Sequence, residues 1–217
     1  MEKNNEQEQA MIERFNTILD YHAGVELFDR NEIPHSLTGD LVRKLLNQAV
    51  RESDSYMELG VYCGGTFCAA MYGNDDVPAV AIDSWRETFG ITVKSGIRPK
   101  DEFHKNTKRF IKASFTFIES DHWEVKALPI SPRLFFYDGD HSIMAQEKAL
   151  THYAPMCADV FIYIVDDFNW ERVRAGTLLG IQKAGLRIIM QEWLGKGAPE
   201  SDGKGYWNGI GMFLLSK

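Results

Sequence analysis

Carboxylic acids recur where short β-rich runs end in this 217-residue chain. Glu58 opens the run Glu58-Leu59-Gly60-Val61-Tyr62-Cys63-Gly64-Gly65-Thr66. Asp83 follows Ala79–Ile82, Asp138 follows Leu134–Tyr137, and Asp166 and Asp167 follow Val160–Val165. Glycines after a strand let a ligand approach the backbone, and the next helix can offer unpaired N–H groups. An acid ending the following strand can accept both hydroxyl hydrogens of a ribose. Glu58 and Asp83 are spaced as the two ends of one βαβ unit, so the pair says more than either member. The glycines do not follow GxGxxG, which speaks against a dinucleotide site and an NAD-dependent enzyme.

Asp138, Asp166 and Asp167 form a second constellation. Three carboxyl groups brought to one sheet edge repel each other unless a positive charge neutralises them. A hard divalent cation such as Mg²⁺ or Ca²⁺ suits such oxygen donors. The alternative is that Asp138 and Asp166 face the amino group of a ligand and Asp167 caps the next helix. His141, three residues after Asp138, is the best candidate general base, because an imidazole can take a hydroxyl proton near neutral pH. It could equally cap a helix starting near Ser142. Asp138 and His141 are thus the candidate catalytic pair, and the other five histidines are scattered.

Strands alternating with helical segments must position these groups, the pattern of an α/β domain with a mainly parallel sheet. The expected strands are 56–60, 79–82, 115–118, 134–137, 160–165, 187–190 and 210–215. Met11, Phe15, Ile18 and His22 share one helical face, and a second helix runs around Leu41–Ala49 with Thr38 or Asp40 as its cap. Residues 1–50 therefore read as an N-terminal helical extension, and 51–217 as the sheet domain. A helix near Glu171–Ala184 separates strands five and six. The glycines from Gly195 to Gly205 leave only a loop between strands six and seven, so that last pair should be antiparallel. Trp207-Asn208-Gly209 reads as the turn into the last strand.

Composition narrows the class. Apolar residues are 44% and charged residues 25%, ordinary for a globular protein with a real core. The longest apolar run, Val160–Val165, is far short of the roughly 20 residues that span a bilayer. The polar start Met1–Gln9 resembles neither a signal nor a transit peptide. Three cysteines without a CxxC suggest a reducing, cytoplasmic setting. A net charge of −7 argues against general nucleic-acid binding. Against that background, Arg86–Lys112 carries eight basic and three acidic residues, about +5.

The strings E-L-G-x-x-x-G-G-T, A-I-D-S-W, F-F-Y-D-G-D-H-S and I-V-D-D-F resemble the class I S-adenosylmethionine-dependent methyltransferases. The element Asp138-Gly139-Asp140-His141-Ser142 is similar to the macrocin-type small-molecule O-methyltransferases. The resemblance spans about Thr38–Lys217. It implies a Rossmann-like seven-stranded sheet of order 3-2-1-4-5-7-6 with the last strand reversed. It implies S-adenosylmethionine as cofactor, bound by Glu58, Gly60, Tyr62, Gly64 and Thr66 at the methionine and ribose end. Asp83 would hold the ribose hydroxyls, Ser84 and Trp85 would border the adenine, and Ser120 and Asp121 would lie near its amino edge. Asp138 would also touch the cofactor. A Mg²⁺ on Asp138, Asp166 and Asp167, as in catechol-type relatives, would assist transfer to a hydroxyl. A metal-independent methyltransferase and a non-catalytic S-adenosylmethionine-binding module are the rival readings. The expected partners are a small-molecule acceptor, drawn by the basic stretch to be anionic or highly polar, and further copies of the chain; neither nucleic acid nor membrane is expected.

Overall fold

The computed structural model describes residues 2–86, 96–199 and 202–217. Two helices lead, α1 (Glu2–Tyr21) and α2 (Asp40–Arg51). Then come β1 (Tyr56–Leu59), α3 (Gly65–Met71), β2 (Ala79–Asp83), α4 (Pro99–Phe110) and β3 (Thr116–Glu119). β4 (Leu134–Tyr137), α5 (Ile143–Tyr153), β5 (Val160–Val165), α6 (Glu171–Lys183), β6 (Arg187–Leu194) and β7 (Ile210–Ser216) complete the chain. One sheet runs β3-β2-β1-β4-β5-β7-β6, with β7 antiparallel to both neighbours and the other pairings parallel. The order is the one the resemblance implies, and the reversal is the one expected from the glycine-rich loop before the last strand.

Alternation along the strands divides the core in two. Tyr56, Ala81, Phe136, Ile162 and Leu214 pack with Met11, Phe15 and Ile18 of α1, Val42 and Leu46 of α2, and Phe103 of α4. Met57, Ile82, Phe135, Tyr163 and Phe213 pack with Leu150 and Tyr153 of α5 and Val173 and Ile181 of α6. The period-2 pleat sends successive side chains to opposite faces, so both faces of the central strands are apolar and covered.

Three local expectations shift. β6 extends to Leu194, past a register irregularity between Ile188 and Met190, because β7 offers a full-length partner. β3 starts one residue later than read, in register with β2 through Asp83 and Glu119. The N-cap of α2 is Gly39, with neither Thr38 nor Asp40 capping. Here the N–H groups of Asp40 and Leu41 donate to the carbonyls of Gly203 and Gly205, so a neighbouring loop does the work of a capping side chain.

Three basic side chains of α4 pair with acids. Lys100 pairs with Glu119 at 2.6 Å, Lys105 with Glu102 at 3.4 Å, and Arg109 with Glu32. The apolar side of α4 supports the glycine turn: Asn106 Nδ2 donates to the Cys63 carbonyl at 2.9 Å, and Phe103 lies against Gly64. Glu87 and Lys94 lie outside the described residues.

Candidate functional site

The carboxyl ends of β1, β2, β4 and β5 open into a cleft of about 650 Å³. That volume is within the range that encloses a nucleotide-sized ligand. Ser84, Trp85, Asp121 and Trp123 line it on the β2–β3 side, and Asp138, His141, Asp167 and Trp170 on the β4–β5 side. Between them runs the turn after β1.

That turn is shaped by close packing. Gly60 has φ +90°, and a Cβ there would meet the Asp138 carbonyl oxygen at 2.1 Å. Only glycine combines that backbone with that approach. Asp83 holds the turn from the next strand: Tyr62 N donates to its Oδ2 at 2.9 Å and Trp85 N to its Oδ1 at 2.7 Å. The Trp85 indole N–H closes the link by donating to the Tyr62 carbonyl at 2.9 Å. A carboxylate has about four acceptor positions, so Asp83 keeps capacity for two more donors facing the cleft.

Glu58 is fully buried. It accepts from the Tyr56 hydroxyl at 2.5 Å and from the Thr66 hydroxyl at 2.5 Å. Burial, only partly offset by these two hydrogen bonds, pushes its carboxyl up to about 8. Glu58 therefore braces strand and turn from within, and its side chain is not part of the cleft lining.

At the other end, His141 Nε2 lies 2.9 Å from Asp167 Oδ2. Asn208 Nδ2 donates to Asp167 Oδ1 at 2.6 Å. Trp170 meets the imidazole edge-to-face, with ring centroids 5.1 Å apart. Burial disfavours the charged imidazole, but the hydrogen bond to Asp167 and the charges of Asp138 and Asp167 outweigh it, and His141 titrates above ordinary histidine. Burial pushes Asp138 up to about 7, with Asp167 and Asp83 reinforcing and His141 opposing. Burial also drives Asp166 well above the carboxylate range, helped by Asp138 and Asp167.

The capping alternatives are resolved. Ser142 caps α5, its hydroxyl accepting from Ala145 N at 3.2 Å, so His141 has no capping role. Trp170 holds the N-cap position of α6, so Asp167 has none either. Among the described residues no three His, Cys, Asp or Glu side chains are grouped to hold a metal ion. Each Asp167 oxygen has one partner in the structure, His141 on one and Asn208 on the other. Asp166 Oδ1 is buried without a hydrogen-bond partner, but it has no third free carboxylate beside it and Asp138.

No protein-family model matches the chain, and no curated protein does. Solved structures match over most of its length. An O-methyltransferase from Bacillus cereus in complex with SAH superposes with a TM-score of 0.60 at 12% identity, covering 94% of this chain and 91% of that one. The SAH-bound Podospora anserina methyltransferase PaMTH1 gives 0.52 at 14% identity, over 96% and 88%. The SAM-bound O-methyltransferase TomG of Streptomyces achromogenes, involved in tomaymycin synthesis, gives 0.51 at 13% identity, over 82% and 78%. The chain has the class I methyltransferase fold.

Within this methyltransferase fold, the cleft brings together Gly60, Tyr62, Thr66, Asp83, Ser84, Trp85, Asp121, Asp138, His141, Asp166 and Asp167. Glu58, Gly64 and Ser120 stand outside its lining. Ser120 instead pairs its backbone N–H with the Asp83 carbonyl at 3.2 Å. The sequence reading missed Ser36, Leu37 and Thr38, which line the cleft from the N-terminal extension, and Asn208. One backbone feature marks the site. Tyr62, Trp85, Asp167, Trp207 and Asn208 have φ between 35° and 58°, and they are all the non-glycine residues with positive φ among the described residues. Every one lines the cleft. Such strained backbone concentrates at functional sites. Asn-Gly at 208–209 was the one part of that signal visible in the sequence.

Proposed function

We propose that the chain transfers a methyl group from S-adenosylmethionine to a hydroxyl of a small molecule. The observation that carries this reading is that a single cleft is lined both by the Asp83-braced glycine turn and by the His141–Asp167 pair. The first part supplies a carboxylate, a close backbone approach and aromatic walls for a nucleoside. When bound, S-adenosylmethionine supplies an activated methyl group on a sulfonium, whose sulfur becomes a thioether as the methyl leaves.

The residues of the chain do the rest. Asp167 accepts the Nε2 proton of His141 and so fixes the neutral ring in the tautomer whose Nδ1 is the acceptor. That nitrogen is buried in the structure, so the acceptor must reach it before its hydroxyl gives up the proton as its oxygen bonds to the methyl carbon. Trp170 and Trp207 exclude water from that end and hold an acceptor against the ring, which is the alignment that methyl transfer mainly requires.

A divalent ion is the second reading, favoured by the unpartnered Asp166 Oδ1 beside Asp138. One assay tests both readings: labelled S-adenosylmethionine with a panel of hydroxylated small molecules, with and without exhaustive chelation. Labelled product that survives chelation is the expected outcome. Product that vanishes on chelation and returns with Mg²⁺ would install the ion. Calorimetric binding of S-adenosylmethionine with no turnover across the panel would leave a binding module. No binding at all would remove the whole reading.

A further inference from the structure

We propose that Asn208 is a positioning residue: it holds Asp167 in the orientation from which Asp167 fixes His141. The inference rests on the reading of His141 as the base and adds a residue from a distant part of the chain.

The carboxylate of Asp167 is shared by two partners. Asn208 occupies Oδ1 at 2.6 Å, and His141 Nε2 occupies Oδ2 at 2.9 Å. Asn208 and Asp167 are buried, at 4% and 8% exposure. The Asn208 amide must present its nitrogen to the carboxylate, since its oxygen there would place two acceptors in contact. With Oδ1 tied, the carboxylate cannot rotate without breaking a charge-assisted hydrogen bond in a buried setting. Losing that tie would free Asp167 to turn away from the imidazole.

The backbone shows that the amide is not needed to hold the loop. Phe168 N donates to the Gly209 carbonyl, and Asn169 N to the Asn208 carbonyl, each at 2.9 Å. Asn208 N donates to the Pro199 carbonyl at 3.1 Å. Asn169 Nδ2 reaches the carbonyls of Gly195 and Ala198 at 3.0 Å each. These straps fasten the β6–β7 loop to the segment after β5 without the Asn208 side chain. The turn does demand a residue tolerant of φ +58°, which asparagine, aspartate and glycine are. Asparagine is the one of the three that both fits the turn and donates to Asp167.

That separation makes the test clean. Asn208→Gly keeps the turn and the straps and deletes the donor. Asn208→Asp keeps the size and the turn and replaces the donor with a second carboxylate. In crystals of the ligand-free proteins, both variants should show the His141 Nε2 to Asp167 Oδ2 contact lengthened beyond the roughly 3.5 Å at which it ceases to be a hydrogen bond. In ¹⁵N spectra of the ligand-free proteins at alkaline pH, where the His141 ring is neutral, the parent should hold a single Nε2-protonated tautomer, and the variants a mixture. Both variants should still unfold in one cooperative transition, at a lower melting temperature, since a buried charge-assisted hydrogen bond is lost. With the panel acceptor that turns over fastest, Asn208→Gly should lower kcat at least tenfold and leave the S-adenosylmethionine Kd unchanged. Asn208→Asp should lower kcat further. In a His141→Gln background, Asn208→Gly should add less than twofold, since the two act through one unit. An unchanged contact and tautomer in both variants would overturn the proposal, as would losses that multiply in the double variant. If His141→Gln alone leaves kcat untouched, the assignment of the base fails, while the ligand-free measurements still decide whether Asn208 orients Asp167.

Discussion

Asp83 does two jobs with one carboxylate. It receives the N–H groups of Tyr62 and Trp85, and it faces the cleft with its remaining acceptor capacity. Asp83→Ala should weaken S-adenosylmethionine at least tenfold by calorimetry, because each charge-assisted hydrogen bond lost is worth about 1.5–3 kcal/mol. Asp83→Asn, which keeps one carbonyl acceptor, should fall between parent and alanine. Equal affinities for all three would remove Asp83 from the cofactor site. For His141 the expectation is kinetic: His141→Gln should reduce kcat by about 10²–10⁴-fold, the usual worth of a positioned base, with cofactor affinity intact. A parallel loss of cofactor binding would instead make His141 part of the cofactor wall.

The β1–turn–α3 unit is the element on which the cofactor reading depends, and Glu58 is its internal brace. Its carboxyl titrates at about 8 in the folded protein, far above its ordinary value, and burial is the main cause. A carboxyl raised on folding binds its proton more tightly in the native state than in the unfolded chain. Native stability is therefore fully present at pH below the ordinary carboxylate value and is lost as pH rises through about 8. The parent should melt progressively lower between pH 5.5 and 9. Glu58→Gln, which cannot ionise, should show a shallower profile over that window, the remaining slope coming from Asp138 and Asp166, whose carboxyls burial also raises. Equal slopes in scanning calorimetry would mean that Glu58 stays charged and that Tyr56 and Thr66 fully satisfy it. The same element carries Gly60, where sheet packing and a left-handed backbone coincide against Asp138.

Across the whole molecule, the distribution of charge opposes the preference read from the sequence. The described basic residues of 96–112 pair with acids or lie away from the cleft, and Arg86 is the stretch's one described residue in its lining. Six aspartates line the same cleft, four of them (Asp138, Asp140, Asp166 and Asp167) at the end that holds His141. Burial keeps Asp166, and much of Asp138, protonated near neutral pH, so this end becomes a wall of one sign that favours a cationic over an anionic acceptor as pH rises above about 7. With acceptors matched except for charge, such as aminomethyl and carboxylate forms of one hydroxylated ring, the amine should then have the lower KM. Added salt should narrow the difference, since exposed charges are screened beyond about 8–10 Å. A lower KM for the carboxylate would return the selecting role to the basic stretch, including Lys94.

The sequence by itself determined the strands, the reversed last strand and the positions of the strand-end acids, because these follow from hydrophobic period, glycine placement and loop length; the strand order came with the resemblance to the class I methyltransferases. Those signals are local: Val160–Val165 reads as a buried strand whatever surrounds it, and Gly195–Gly205 cannot be a helix. The partners of the acids were a different matter. From its spacing Asp167 reads as a third metal ligand or a helix cap, whereas its contacts with Asn208, forty-one residues later, and with His141 are seen only in the structure. Ser36, Leu37 and Thr38 reach the cleft only because α2 starts on carbonyls of the β6–β7 loop. Spacing along a chain tells which residues reach one edge of a sheet. Which of them touch, and so which charge each carboxylate carries, is decided by contacts between segments far apart in sequence, and only the tertiary structure contains those.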